Sequence, residues 1–196
     1  MAETAPPQFW NIPNLLTLSR LVLGFVVYGL IAYEQFAAAL VVFAVAALTD
    51  AADGYVARWL KQSTAIGRQL DPVIDKVVVA GAFVYLLTID PRKTGLAPWM
   101  VTLIITRELL IQWLRSLLEG RGEAFGARSA GKLKTLFQCL SISAILLYLA
   151  MEPPAPWHLA RDVITWVAVG LTLYSGLVYV VIALPLLRRD ATAGTP

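Results

Sequence analysis

Four aspartates, Asp50, Asp53, Asp71 and Asp75, fall within 26 residues of the segment DAADGYVARWLKQSTAIGRQLDPVIDK, directly after the uncharged run FAAALVVFAVAALT. Ionised carboxylates beside hydrocarbon are costly unless something binds them. On a helix Asp50 and Asp53 are i,i+3 neighbours and Asp71 and Asp75 are i,i+4 neighbours, so each pair presents two carboxylates on one face. A short loop joining the two helices would bring all four to the same membrane boundary. Their mutual repulsion is relieved if divalent cations share them, and hard oxygen ligands suit Mg²⁺, Mn²⁺ or Ca²⁺ rather than thiophilic metals.

The surroundings extend the chemistry. Gly54 lies one turn after Asp50 and Ala57 one turn after Asp53, a small-residue face that lets a ligand approach the backbone closely. Arg58 adds a guanidinium fork suited to phosphate or a nucleobase edge. Metals beside a phosphate-binding arginine point to a phosphoryl or pyrophosphate substrate. Structural readings of single residues exist. Asp71 before Pro72 fits a helix N-cap with Pro at N1, and Asp50 and Asp53 could pair with Arg58 or Arg68. None of them accounts for all four aspartates together with Gly54, Ala57, Arg58 and Gly67.

The pattern Asp50-x2-Asp53-Gly54-x2-Ala57-Arg58-x8-Gly67-x3-Asp71-x3-Asp75 resembles the signature of the CDP-alcohol phosphotransferase family, with no departure at any of its eight positions. The resemblance extends over roughly residues 11–150. It implies an all-α integral membrane enzyme of about six transmembrane helices, commonly a homodimer, with an active site open to the cytoplasm. It further implies that Asp50, Asp53 and Asp71 ligate two divalent ions, Mg²⁺ or Mn²⁺. Asp75 would contact one of them and act as general base. Asp53, Gly54, Arg58 and Gly67 would hold the CDP moiety.

The signature leaves the acceptor alcohol open. The segments NIPNLLTLSR at 11–20, ITRELLIQWLR at 105–115 and AGKLKTLFQ at 130–138 resemble the branch of the family that transfers a phosphatidyl group from CDP-diacylglycerol to sn-glycerol 3-phosphate. The nearest rival is the branch that accepts phosphatidylglycerol. An acceptor carrying a phosphate dianion needs a basic pocket that a neutral polyol does not. Arg107 and Arg115 are eight residues apart, hence about 80° apart around a helix. Lys132 and Lys134 begin the next span at the same boundary, where anchoring to headgroups is the alternative reading. For Arg107 the alternative is a local pair with Glu108, disfavoured because adjacent helix residues point apart. Arg20, inside the first span, either snorkels to the headgroups or belongs to the site.

These residues need a membrane scaffold to hold them, and composition supplies one. Of the 196 residues, 58% are hydrophobic and 15% charged, with a mean hydropathy of +0.68, outside the balance of a soluble globule. Apolar stretches long enough to span a bilayer fall at roughly 13–33, 36–60, 72–90, 96–115, 133–151 and 162–187. They are long apolar runs without period-2 alternation, which disfavours a transmembrane barrel. The last span carries nothing charged between Asp162 and Arg188 and reads as scaffold. DPRKTG at 90–95 and EPPAPW at 152–157 read as turns.

Basic residues cluster after spans 2 and 4 and at the C-terminal end, which by the positive-inside rule places those segments and both termini in the cytoplasm. The net charge of +3 is normal for such loops, and no nucleic-acid-binding motif accompanies it. Residues 1–12 contain no Lys or Arg and no A-x-A site follows. The segment therefore reads as an interfacial aromatic anchor rather than a cleaved signal. Cys139 is the sole cysteine, which excludes an intrachain disulfide and a Cys-based metal site. Residues 1–190 are expected to form a single membrane domain and 191–196 a disordered tail. An ion-coupled transporter would place its charges near mid-membrane and show an inverted repeat; here the charges gather at one boundary and no repeat is visible.

Overall fold

The computed structural model describes the backbone of residues 12–60, 65–119, 128–152 and 156–193, with side chains described for 15–49, 73–118, 131, 133–152 and 156–185. The described residues are helical throughout, joined by short turns. Helices α1 (Ile12–Ala32), α2 (Phe36–Leu60), α3 (Ala65–Leu86) and the one-turn α4 (Pro91–Thr94) are followed by α5 (Pro98–Glu119), α6 (Arg128–Met151) and α7 (Trp157–Ala193). Two compact units emerge. The first comprises Met1–Thr94 with Ile145–Glu152, the second Gly95–Ala144 with Pro153–Pro196.

Among the described residues three helices are apolar and long enough to cross a bilayer on composition alone, over Leu15–Ala32, Leu133–Met151 and Trp157–Pro185, and α2 adds a shorter apolar stretch at Phe36–Thr49. Charged residues interrupt α3 and α5, although each has 22 residues and so extends about 33 Å. The burial pattern is that of a protein in lipid. Leu15, Val22, Phe25 and Val26 of α1 face outward, while Thr17, Arg20, Val27 and Ile31 are buried. In the second unit Lys134, Gln138, Ser141, Thr165, Thr172 and Ser175 are buried, while Leu133, Leu136, Leu140, Trp166, Leu173 and Leu177 are exposed. Apolar residues outside and polar residues inside reverse the soluble arrangement, and hydrocarbon is the solvent that rewards it. The chain is a polytopic, all-helical membrane protein.

In the first unit α1 packs against both α2 and α3. α1 closes with Glu34 in the left-handed region (φ 57°), the Gln35 amide donating to the Leu30 carbonyl at 2.8 Å and the Glu34 amide to the Ile31 carbonyl at 3.0 Å. This is the six-to-one closure usually made by glycine, and it turns the chain straight into α2.

The two Asp-Pro dipeptides behave differently. At Asp90-Pro91 the carboxylate caps α4, its Oδ1 accepting the Arg92 amide at 2.9 Å, as Pro at N1 invites. At Asp71-Pro72 no helix begins. α3 starts at Ala65, so Asp71 and Pro72 lie inside it, and neither the N-cap reading of Asp71 nor a span opening at 72 holds. The turn read at 90–95 becomes α4 closed by Gly95 at φ +68°. α7 continues to Ala193, past the boundary at 190; residues 194–196 lie outside the described residues.

In the second unit α5 packs on α7. α6 and α7 are joined by side-chain hydrogen bonds, Gln138 Nε2 donating to Thr172 Oγ1 at 3.0 Å and Ser141 Oγ lying 2.9 Å from Thr165 Oγ1. α7 is therefore not mere scaffold. Its hydroxyls at 165, 172 and 175 supply partners for the facing helices.

Candidate active site

Asp50, Asp53, Gly54 and Arg58 lie on α2, and Gly67, Asp71 and Asp75 on α3, so the helical spacing read from the sequence is realised on both elements. The connecting residues 61–64, and the side chains of Asp50, Asp53, Arg58 and Asp71, lie outside the described residues. As a donor set, four carboxylates spaced i,i+3 and i,i+4 on two consecutive helices fit hard divalent cations, and the observed helices preserve that spacing.

Asp75 is described, and Arg20 is among its neighbours. Arg20 is only 1% exposed and its NH1 lies 4.0 Å from Asp75 Oδ1. Snorkelling to the headgroups is thereby excluded; the side chain turns into the first unit. Its position follows from how α1 meets α3. A Cβ on Gly24 would come within 2.9 Å of Val78 Cγ2, and one on Gly81 would overlap the Tyr28 ring. Small residues at both places let the helices approach closely. Tyr28 fills the space above Gly81, donates its hydroxyl to the Val77 carbonyl at 2.6 Å and stacks on Tyr85 at 5.0 Å.

The second unit holds the other candidate residues. Arg107 and Arg115, on α5, converge on Tyr179 of α7. The Arg107 guanidinium carbon lies 5.4 Å from the ring centroid and that of Arg115 5.8 Å, within cation–π range. Arg115 also donates to the Tyr179 hydroxyl at 3.0 Å. Gly131, at the start of α6, lies beside that hydroxyl. Arg107 NH2 donates to Ser175 Oγ at 3.0 Å and NH1 to Glu108 Oε1 at 3.2 Å, and Lys134 Nζ donates to the same Glu108 oxygen. The side chain of Lys132 lies outside the described residues.

The local pair between Arg107 and Glu108 thus forms, against the expectation from adjacent helix positions. The arginine stem is long enough to fold back over its neighbour, and burial leaves the guanidinium no water to turn to. One Glu108 oxygen meets both Arg107 and Lys134 in this buried cluster, so a single carboxylate offsets part of two basic groups' charge. Arg115 is less buried than either and, among the described residues, engages the Tyr179 ring and hydroxyl. It is the cation of this group best placed to bind an added anion.

Sequence reasoning missed Glu108 as the junction of two cations, and Ser175 and Tyr179 as their partners. A signal existed: 165, 172, 175 and 179 recur at helical spacing along one side of α7.

Comparison with known proteins places these observations. Residues 10–174 match the CDP-alcohol phosphatidyltransferase family. A Bacillus subtilis protein named CDP-diacylglycerol–glycerol-3-phosphate 3-phosphatidyltransferase is 36% identical over 190 residues, covering 87% of this chain and 93% of the relative. Proteins of the same name from Pseudomonas fluorescens and Escherichia coli K12 are each 39% identical. They cover 92% and 87% of this chain respectively, and 93% of each relative. With the signature intact on α2 and α3 and the match running through the first six helices into α7, this chain belongs to the CDP-alcohol phosphatidyltransferase family.

Proposed function

We propose that this chain transfers a phosphatidyl group from CDP-diacylglycerol to sn-glycerol 3-phosphate, forming phosphatidylglycerophosphate and CMP. The observation that carries the reading is the 36–39% identity to relatives bearing that activity as their name, over 93% of their lengths. The 1-hydroxyl oxygen of glycerol 3-phosphate attacks the diacylglycerol-linked phosphorus, the bond from that phosphorus to CMP breaks, and the hydroxyl proton passes to Asp75. Asp50, Asp53, Asp71 and Asp75 would hold two divalent ions, Mg²⁺ or Mn²⁺, which when bound supply positive charge for the attacking and leaving oxygens. Asp53, Gly54, Arg58 and Gly67 would hold the CDP moiety.

The acceptor's own phosphate takes no part in bond making, so it must be held by charge. Arg115 is the foremost candidate, with Lys132 at the start of α6 a second, and Arg107 and Lys134, both engaged by Glu108, behind them. The enzyme would sit in a bacterial cytoplasmic membrane as a homodimer, with the segments 58–71 and 116–132 and both termini facing the cytoplasm. The test offers purified protein CDP-diacylglycerol with glycerol 3-phosphate, phosphatidylglycerol, inositol phosphate or serine separately and follows CMP release. Preference for glycerol 3-phosphate is expected. Preference for phosphatidylglycerol would make the chain a cardiolipin synthase and reassign the basic residues to a lipid headgroup.

A further inference from the structure

We propose that Arg20 is the positioning residue for Asp75, and that the α1–α3 seam fixes the height at which it acts. The inference rests on the assignment of Asp75 as the proton acceptor. An arginine that is 1% exposed in a membrane helix must be held by something in the interior, since burying an unpaired charge is costly. Among the groups it meets is the Asp75 carboxylate, with NH1 4.0 Å from Oδ1.

The contact is the first rung of a ladder. Arg20, Gly24 and Tyr28 follow one another at four-residue steps on one face of α1. Asp75, Val78 and Gly81 follow at three-residue steps on α3. Arg20 meets Asp75, Gly24 meets Val78 and Tyr28 meets Gly81, so the two helices run parallel and rise together about one turn per rung. The upper rungs are rigid. Glycine at 81 is obligatory beneath the Tyr28 ring, and the Tyr28 hydroxyl is fastened to the Val77 carbonyl at 2.6 Å. Sliding α1 against α3 would break that bond and drive Tyr28 into the α3 backbone. With the register set there, Arg20 is delivered to Asp75 at a fixed height. At 4.0 Å the guanidinium acts on the Asp75 carboxylate by charge and biases one oxygen toward α1, and proton removal from an attacking hydroxyl needs the other oxygen correctly aimed. Arginine stays charged at all accessible pH, so it serves as a constant anchor.

The test uses full-length protein in detergent or reconstituted membranes, with Arg20→Gln, Arg20→Lys and Tyr28→Phe. Misplacing a reacting group by about 1 Å can cost on the order of 10²-fold. Arg20→Gln is therefore expected to lower kcat by ~10- to 100-fold, with KM for both substrates moving less than about threefold. Arg20→Lys, which keeps the charge, should recover most of the loss, and Tyr28→Phe should lower kcat a few-fold with KM unmoved.

A second readout is independent of turnover. In EDTA-treated protein the melting-temperature losses of Arg20→Gln and Asp75→Asn should be clearly less than additive in the double variant, as for groups in contact. Additive losses, or a raised KM with unchanged kcat in Arg20→Gln, would overturn the proposal. If Arg20→Gln does not fold, Arg20→Lys and Tyr28→Phe decide by the same split of kcat from KM. Full activity of Asp75→Asn would instead remove the assignment of Asp75 as base, while the EDTA cycle would still report whether Arg20 and Asp75 touch.

Discussion

Replacing Glu108 by Gln keeps the shape of the side chain and one carbonyl oxygen but removes a carboxylate that contacts both Arg107 and Lys134. All three groups are buried. The Arg107 NH1 to Glu108 Oε1 separation is 3.2 Å. At an effective dielectric of about 20 a pair at that distance attracts by ~332/(20 × 3.2), about 5 kcal/mol, before desolvation is subtracted. Breaking a buried pair by removing one partner costs ~3–5 kcal/mol, because the other charge is left uncompensated. Against a typical stability of ~5–15 kcal/mol, the loss is large. For a chain of this length, roughly 2–4 °C of melting temperature accompanies each kcal/mol, so Glu108→Gln should melt ~6–20 °C lower. The assay is thermal unfolding in detergent, with Lys134→Gln and the double variant completing the cycle. Removing the second cation's charge along with Glu108 should restore part of the loss. A Glu108→Gln melt within about 2 °C of the parent, or full additivity in the cycle, would refute the claim that Glu108 offsets the buried basic charge.

The remaining expectations concern the reaction and its sidedness. Losing one charge-assisted phosphate contact costs ~1.5–3 kcal/mol, so Arg115→Ala should raise KM for glycerol 3-phosphate roughly ten- to a hundredfold with little change for CDP-diacylglycerol. Arg58→Ala should show the opposite bias, and equal shifts in both constants would refute the division of labour. Asp75→Asn should lower kcat by ~10²–10⁴-fold while divalent-ion binding, measured by titration, largely persists; near-parental kcat would move the proton elsewhere. Chelation with EDTA should abolish CMP release and added Mg²⁺ or Mn²⁺ restore it, and full activity in metal-free protein would remove the two-ion reading. In a Cys139→Ser background, a cysteine at position 122 should resist impermeant reagent applied outside intact cells, whereas one at position 93 should react. The reverse pattern would invert the orientation.

The chemistry-bearing aspartates were readable because helical spacing is a local property. Asp50 with Asp53, and Asp71 with Asp75, needed only that α2 and α3 be helices. Where α3 begins was not readable in the same way. Pro72 marks a helix start by its missing amide, and the identical dipeptide at Asp90-Pro91 does open α4; the difference is that α3 has already begun at Ala65 when the chain reaches Asp71. Arg20 could be placed in its span but not assigned a partner, since the close α1–α3 approach depends on Gly24 and Gly81 meeting Val78 and Tyr28 from a distant segment. The Arg107–Glu108 pair went against a rule about where adjacent side chains start, and the rule says little about where a long side chain ends once water is excluded. Tyr179 and Ser175 were overlooked because hydroxyls on a long apolar helix carry no charge to attract notice.

The hydrogen bonds between α6 and α7 bear on how this protein reaches its folded state. Gln138 with Thr172 and Ser141 with Thr165 are two rungs of an antiparallel pairing, and only residues 152–156 separate the helices. Interhelical bonds of this kind contribute on average only ~0.6 kcal/mol each in a membrane, so their worth as glue is small. Their worth as a selector is greater. A hairpin inserted one step out of register would strand the Gln138 amide and the Ser141 hydroxyl against hydrocarbon, with no water to take the place of the lost partner. The two rungs therefore discriminate among ways of inserting the hairpin far more than they strengthen the chosen one. The penalty on the wrong pairings, rather than the gain from the right one, delivers α7 with Ser175 and Tyr179 turned toward Arg107 and Arg115.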